Sequence, residues 1–167
     1  MRIASLSAVL CLGLLLFLAG AAQAKVTAGL LEPALLKDSG LVVAAKLDTG
    51  ARICSLHATD IKKFTRDGSR WVRFTTLDHQ EKPVTLEMPL AGHVKVKRHF
   101  GKFQRRPLVM LTICLGGASR EVEVNLVDRN HVTGRLLVGR NFMNGLIVVD
   151  PELKDLTKPA CGTASDK

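Results

Sequence analysis

Lys46-Leu47-Asp48-Thr49-Gly50-Ala51-Arg52 closes the apolar run Leu41 to Leu47 and opens a turn. Asp and Gly are ordinary turn residues after a strand, so by themselves these residues specify only a chain reversal. A second stretch, Leu136-Leu137-Val138-Gly139-Arg140, lies about 90 residues downstream. Its large apolar residues and Gly close a short buried strand. Phe142 and Met143 follow, suited to one helical turn. The two stretches together, rather than either alone, point to a particular fold.

Between and around them the punctuation is that of an all-β protein, with short runs rich in branched residues separated by turn clusters. Ile53 to Ala58 is one such run. Arg66-Asp67-Gly68-Ser69 turns into Trp71 to Leu77, which pairs across Asp78 to Glu81 with Val84 to Met88. Gly68 supplies the positive φ of the first turn. Pro107 to Leu115 turns at Gly116-Gly117 into Glu121 to Val127, where Val122, Val124 and Leu126 alternate with polar residues. That alternation gives one buried and one wet face. Leu146 to Val149 reads as the last strand, stopped by Asp150-Pro151. About nine short strands and no long amphipathic helix predict a compact barrel or sandwich.

The ends read differently. Met1-Arg2, the apolar stretch Ile3 to Leu18 and Ala22-Gln23-Ala24 form the pattern of a secretory signal peptide over 1–24. The apolar stretch is shorter than the roughly 20 residues of a spanning helix. The expected division is therefore a signal peptide over 1–24, a lead-in arm over 25–40 that forms either a strand or a loose segment, one domain over 41–151 and a flexible tail over 152–167. The expected location is periplasmic or secreted, with no membrane span after cleavage. Without Arg2, the 24 Lys and Arg of the 167-residue chain become 23 against 15 Asp and Glu, a net charge of +8. Such a balance points to an anionic partner. Export and the scarcity of aromatic rings argue against nucleic acid. Three cysteines follow the signal, Cys54, Cys114 and Cys161, of which two can pair in an oxidising compartment. Neither a C-x-x-C nor an H-E-x-x-H pattern is present, nor is a phosphate-binding G-x-x-x-x-G-K-[ST] loop, so no metal and no cofactor is expected.

The chain resembles the retropepsin-like aspartic peptidase family of bacterial proteins that carry the label ATP-dependent zinc protease. The resemblance rests on Lys46 to Arg52, Leu56-His57-Ala58, Asp67-Gly68, Trp71 to Phe74, Arg106 to Val109, Val127-Asp128-Arg129, Leu136 to Arg140 and Val149-Asp150-Pro151, in that order. It covers Leu41 to Pro151. Ile53 and Cys54 depart from it, standing where small polar residues are usual. The resemblance implies a single-lobed, closed retropepsin-like barrel with at most one short helix, and peptide-bond hydrolysis with Asp48 as the catalytic residue. Thr49, Gly50, Ala51, Leu137, Val138, Gly139 and Arg140 would support the site, with Gly139 leaving room for the strand that crosses the Asp48 loop. Aspartic peptidases use two carboxylates sharing one proton. One Asp-Thr-Gly occurs here, so the resemblance implies a homodimer with Asp48 from each copy meeting on a two-fold axis. A hydroxyl at Ala51 would lower the carboxyl pKa; its absence predicts activity at weakly acidic to neutral pH.

Arg52 and Arg140 either support the site or pair with surface carboxylates. His57 either lines the cleft or is structural. The basic stretch His93 to Arg106 falls where flap-like hairpins arise in the family. Lys95, Lys97 and Arg98 there would bind an acidic peptide or polymer, or serve only solubility. The rival to an endopeptidase is a non-catalytic periplasmic binding module that holds an acidic partner through this basic loop. One scaffold can host both.

Overall fold

The computed structural model describes residues 24–97 and 102–161. Eleven strands and one helical turn make up these residues: β1 Val26–Leu36, β2 Leu41–Leu47, β3 Cys54–His57, β4 Thr59–Arg66, β5 Ser69–Leu77, β6 Pro83–Pro89, β7 Gly92–Lys97, β8 Phe103–Leu115, β9 Ala118–Val127, β10 Leu136–Val138, α1 Arg140–Met143 and β11 Ile147–Lys154. The fold is all-β, as the resemblance implies. Eight strands lie in the order β11-β1-β2-β10-β3-β9-β8-β7, and β1 also pairs with β8. That pairing, Leu35 with Cys114 and Leu36 with Ile113, closes six strands into a barrel. β11 and β7 flank it, and β4-β5-β6 forms a separate three-stranded sheet.

The alternation read in β9 is realised, with Val122, Val124 and Leu126 buried in a core that also takes Leu36, Val43, Leu56, Leu111, Leu136 and Phe142. The three-stranded sheet covers it with Val72 and Phe74. Its outer face stacks Arg66 over Phe64 and Trp71 and pairs Arg66 and Arg73 with Glu87. The turn that joins β4 to β5 has positive φ at both Asp67 and Gly68, the backbone twist that suits a two-residue hairpin.

At the start of the domain, the lead-in of residues 25–40 takes its strand form and not that of a loose arm: β1 lies between β11 and β2 and closes the barrel. Its Gly and Pro interrupt the apolar pattern of a strand, and each has a local reason. Gly29 lies where an added Cβ would overlap the Leu153 backbone. Pro33 falls between Leu31, where pairing with β11 ends, and Leu35, where pairing with β8 begins. Its missing N–H removes no ladder bond on that side. Asp150-Pro151 does not stop the last strand, because β11 pairs on one side only and an edge strand tolerates Pro.

The segment after β11 is fastened at two points. The buried carboxylate of Glu32 accepts bonds from the backbone N–H groups of Gly29, Leu156 and Thr157 and from the Thr157 hydroxyl. Cys161 forms a disulfide with Cys114, which leaves Cys54, buried, as the free cysteine among the described residues. The signal-peptide reading of 1–24 falls almost wholly outside the described residues, as do 162–167.

Candidate active site

β2 and β3 are consecutive in the chain but not neighbours in the sheet. β10 lies between them, parallel to β2 with Val138 opposite Leu47, and antiparallel to β3 with Leu137 opposite Ser55. The Asp48 loop must therefore bridge over the end of a strand that arrives from far along the sequence. An added Cβ on Gly139 would sit 2.9 Å from the Ile53 carbonyl carbon and 3.1 Å from the Ala51 oxygen. Glycine is required for this packing reason alone, since its φ of −95° is open to any residue.

The crossing holds the loop from several sides. The Asp48 N–H donates to the Val138 carbonyl at 3.0 Å. The Arg140 and Asn141 N–H groups donate to the carbonyls of Ala51 and Arg52. The Arg140 guanidinium donates to the Thr49 and Gly50 carbonyls, each at 2.8 Å. Asp48 Oδ1 accepts from the Gly50 N–H at 2.9 Å and from the Ala51 N–H at 3.2 Å. These bonds hold one carboxylate oxygen. Thr49 and Gly50 are exposed beside it, at the tip where a second copy of the loop could meet the first.

Behind the loop, the Cys54 Sγ accepts from the Gly139 N–H at 3.3 Å and lies 3.1 Å from the Asn141 side-chain oxygen. Burial pushes its thiol up to about 11, so it packs as a small neutral side chain.

A cleft of about 400 Å³ opens on one flank of the Asp48 loop. Its walls are Ala51, Arg52, Ile53 and Ser55 on one side and Val94 to Lys97 of β7 on the other, with Arg106, Asn125, Arg129 and Leu137 between them. The basic stretch expected to form a flap is a hairpin, in which Val94 pairs with Arg106 and Lys97 with Phe103. Lys95 and Lys97 thus line the same cleft as Arg52. Arg98 lies outside the described residues. Asp48 itself lines a second groove of about 360 Å³, together with Leu30, Lys46, Leu47, Thr49, Val149 and Pro151.

Asn125 and Arg129 are cleft residues that the sequence reading does not mark as site candidates, and Arg106 enters it as the last cation of the basic stretch. The Arg106 guanidinium donates to the Asn125 side-chain oxygen at 3.1 Å. The Asn125 amide in turn donates to the Cys54 carbonyl and the Ser55 hydroxyl. This network ties the cleft floor to β3. Burial first, and then the neighbouring Arg106, lower the Arg129 pKa, while Asp48 acts in the opposite sense. The guanidinium is thus within electrostatic reach of the candidate catalytic carboxylate. Val127-Asp128-Arg129 was visible as a motif, but its place in the cleft depends on where β9 ends in space.

His57 does not line the cleft. It is buried on β3, where Nδ1 accepts from the Arg129 N–H at 3.0 Å. Among the described residues, no group of three or more His, Cys, Asp or Glu is placed to hold a metal ion, and no helix is long and apolar enough to cross a membrane.

Comparison with known proteins agrees with this architecture. The family model described as "RimB-like: Retropepsin-like aspartic endopeptidase RimB" matches residues 27–160. A "Probable alpha-L-glutamate ligase" of Shewanella halifaxensis is 33% identical over 112 residues, covering 65% of this chain and 24% of that protein. A protein of the same description from Parasynechococcus marenigrum is 33% identical over 132 residues, covering 77% of this chain and 28% of its own length. The chain therefore spans about a quarter of the curated relatives it matches. A crystal structure of a Legionella pneumophila protein of unknown function superimposes with a TM-score of 0.68 at 35% identity, over 81% of this chain and all of that one. The family model spans nearly all of the described residues, and the chain belongs to the RimB-like family of retropepsin-like aspartic endopeptidases.

Proposed function

We propose that this chain is an aspartic endopeptidase that acts as a homodimer. In it, the Asp48 carboxylates of two copies share a proton, one drawing a proton from water while the other donates to the peptide carbonyl oxygen. The observation that carries this reading is the Asp48 loop itself. Its carboxylate is held through Oδ1 by two backbone N–H groups, the loop is braced by Arg140 and the Gly139 crossing, and its tip is exposed. A single Asp-Thr-Gly per chain supports the requirement for a second copy. The Cys114–Cys161 disulfide is in keeping with export to the periplasm or beyond.

The preferred substrate in this reading is an acidic peptide. Arg52, Lys95, Lys97, Arg106 and Arg129 all line the cleft beside Asp48, and such a field selects and steers anionic partners. The name of the relatives suggests glutamyl peptides as the first probe. The same cleft supports the second reading, a binding module that holds an acidic partner without cleaving it, since the cations surround it in a single copy.

The test is cleavage of a peptide library, including oligoglutamates, from pH 4 to 8, with Asp48→Asn alongside and a metal chelator as control. Cleavage that the chelator leaves intact and Asp48→Asn abolishes is the expected result, with an optimum at weakly acidic to neutral pH. A folded protein that binds acidic peptides tightly but cleaves none would favour the binding module.

A further inference from the structure

His57 fastens both ends of one loop. Its backbone N–H donates to the Arg135 carbonyl at 2.7 Å, and its ring Nδ1 lies 3.0 Å from the Arg129 backbone nitrogen. An amide N–H can only donate, so Nδ1 must present its lone pair and the ring proton must sit on Nε2. From this loop the chain runs directly into β10, whose Val138 carbonyl receives the Asp48 N–H. At the other end of the loop, the Arg129 side chain lines the cleft. The ring itself is buried and is not part of the cleft lining.

We infer that neutral His57 is a positioning residue, a latch that holds the 129–135 loop so that Arg129 and β10 stand correctly against Asp48, and that opens when the ring is protonated. A proton on Nδ1 would face the Arg129 N–H, donor against donor, and the bond would be lost. Asp128 supplies the alternative partner: its Oδ1 lies 3.7 Å from the same nitrogen. Protonation would thus exchange Arg129 for Asp128 and pull on the residue between β9 and the cleft. The charged groups around the ring are Arg135, Asp128, Glu81 and Arg129, with Glu81 also paired to Arg135. Burial first, then Arg135, lowers the ring's pKa, against the opposite effect of Asp128 and Glu81. The latch therefore stays closed at neutral pH and opens only below the ordinary histidine range.

The consequence for activity rests on the endopeptidase reading above, but the latch itself can be observed without catalysis. In an NMR titration of the folded protein from pH 8 to 4.5, the Arg129 amide signal should move with the same midpoint as the His57 ring. His57→Asn, whose side-chain oxygen can accept the same bond without titrating, should hold the Arg129 signal still. Where oligoglutamate cleavage is measurable, wild-type kcat/KM should fall about tenfold per pH unit below that midpoint, and His57→Asn should remove this limb. An Arg129 amide that ignores the ring titration overturns the latch, as does a His57→Asn protein with the wild-type amide titration. A protein that cleaves nothing refutes the endopeptidase reading alone, and the NMR titration still decides the latch.

Discussion

At the scale of single residues, Gly139 is the clearest point where sequence and structure agree. The need for a small residue at the crossing follows from the paired motifs, and the 2.9 Å approach to the Ile53 backbone gives it a physical size. Backbone cannot yield as a flexible side-chain tip can. Gly139→Ala should therefore cost about 1–3 kcal/mol in urea denaturation, the range for overpacking, and should reduce any Asp48-dependent cleavage by displacing the loop. Glu32 makes the opposite point, since nothing in the sequence marks it as more than one acidic residue among 15. In the fold it is buried and accepts four hydrogen bonds, two of them from the Thr157 backbone and hydroxyl. Glu32→Ala would leave the buried Gly29 N–H and the part-buried donors of Leu156 and Thr157 unmet and should cost about 1–3 kcal/mol, read as a lowered urea midpoint with unchanged slope. His57 shows how one residue type admits two roles: as an isolated histidine on a strand it could have lined the cleft or packed, and its neighbours decide.

At the scale of elements, hydrophobic alternation identified β9, where Glu121 and Glu123 are exposed between buried neighbours, although Asn125 on the same face is buried. It failed for β1 and for the far end of β11, where Gly29, Pro33 and Pro151 interrupt the pattern. Those interruptions are tolerated because of where the neighbouring strands begin and end, which local sequence does not encode. The β7–β8 hairpin was legible as a basic segment in a flap position, and the structure adds that its cations face the cleft beside Asp48. Lys95→Gln with Lys97→Gln should weaken binding of an acidic peptide and flatten its dependence on salt, because the exposed part of the attraction is screened. Fluorescence titration with a labelled oligoglutamate at two ionic strengths measures both effects. Unchanged affinity and slope would return these lysines to a solubility role.

At the scale of the whole molecule, barrel closure brings together Cys114 on β8 and Cys161 beyond β11, which are 47 residues apart in sequence. A cross-link closing a loop of that length stabilises by about 4 kcal/mol in the chain-entropy account, with 2–4 kcal/mol typical. Cys161→Ser, or reduction of the wild-type protein, should lower the melting temperature accordingly, while Cys54→Ala should leave the difference between oxidised and reduced melting temperatures unchanged. The His57 latch adds a dependence on pH. A ring whose folded pKa is lowered binds fewer protons than the unfolded chain, so its contribution to stability is present above the ordinary histidine value. It is lost as pH falls through the lowered one. Thermal melts of wild type and His57→Asn between pH 7.5 and 4.5 should diverge in that window, with the wild type losing more.

What the sequence determined by itself is the set of features carried by short-range pattern. The strand periodicities, the turn chemistry at Asp67-Gly68, and the pairing of an Asp-Thr-Gly turn with an apolar strand ending in Gly belong to this set; the retropepsin-like architecture follows from the family resemblance that those motifs carry. Each depends on residues close in the chain or on a motif whose spacing is itself distinctive. The tertiary structure alone decided which cysteines pair, that residues 25–40 close the barrel, and that Arg106, Asn125 and Arg129 line a cleft with Lys95 and Lys97. It also decided that His57 faces a loop rather than that cleft. These outcomes turn on distances between segments tens of residues apart, which arise only when β10 inserts between β2 and β3 and β1 meets β8.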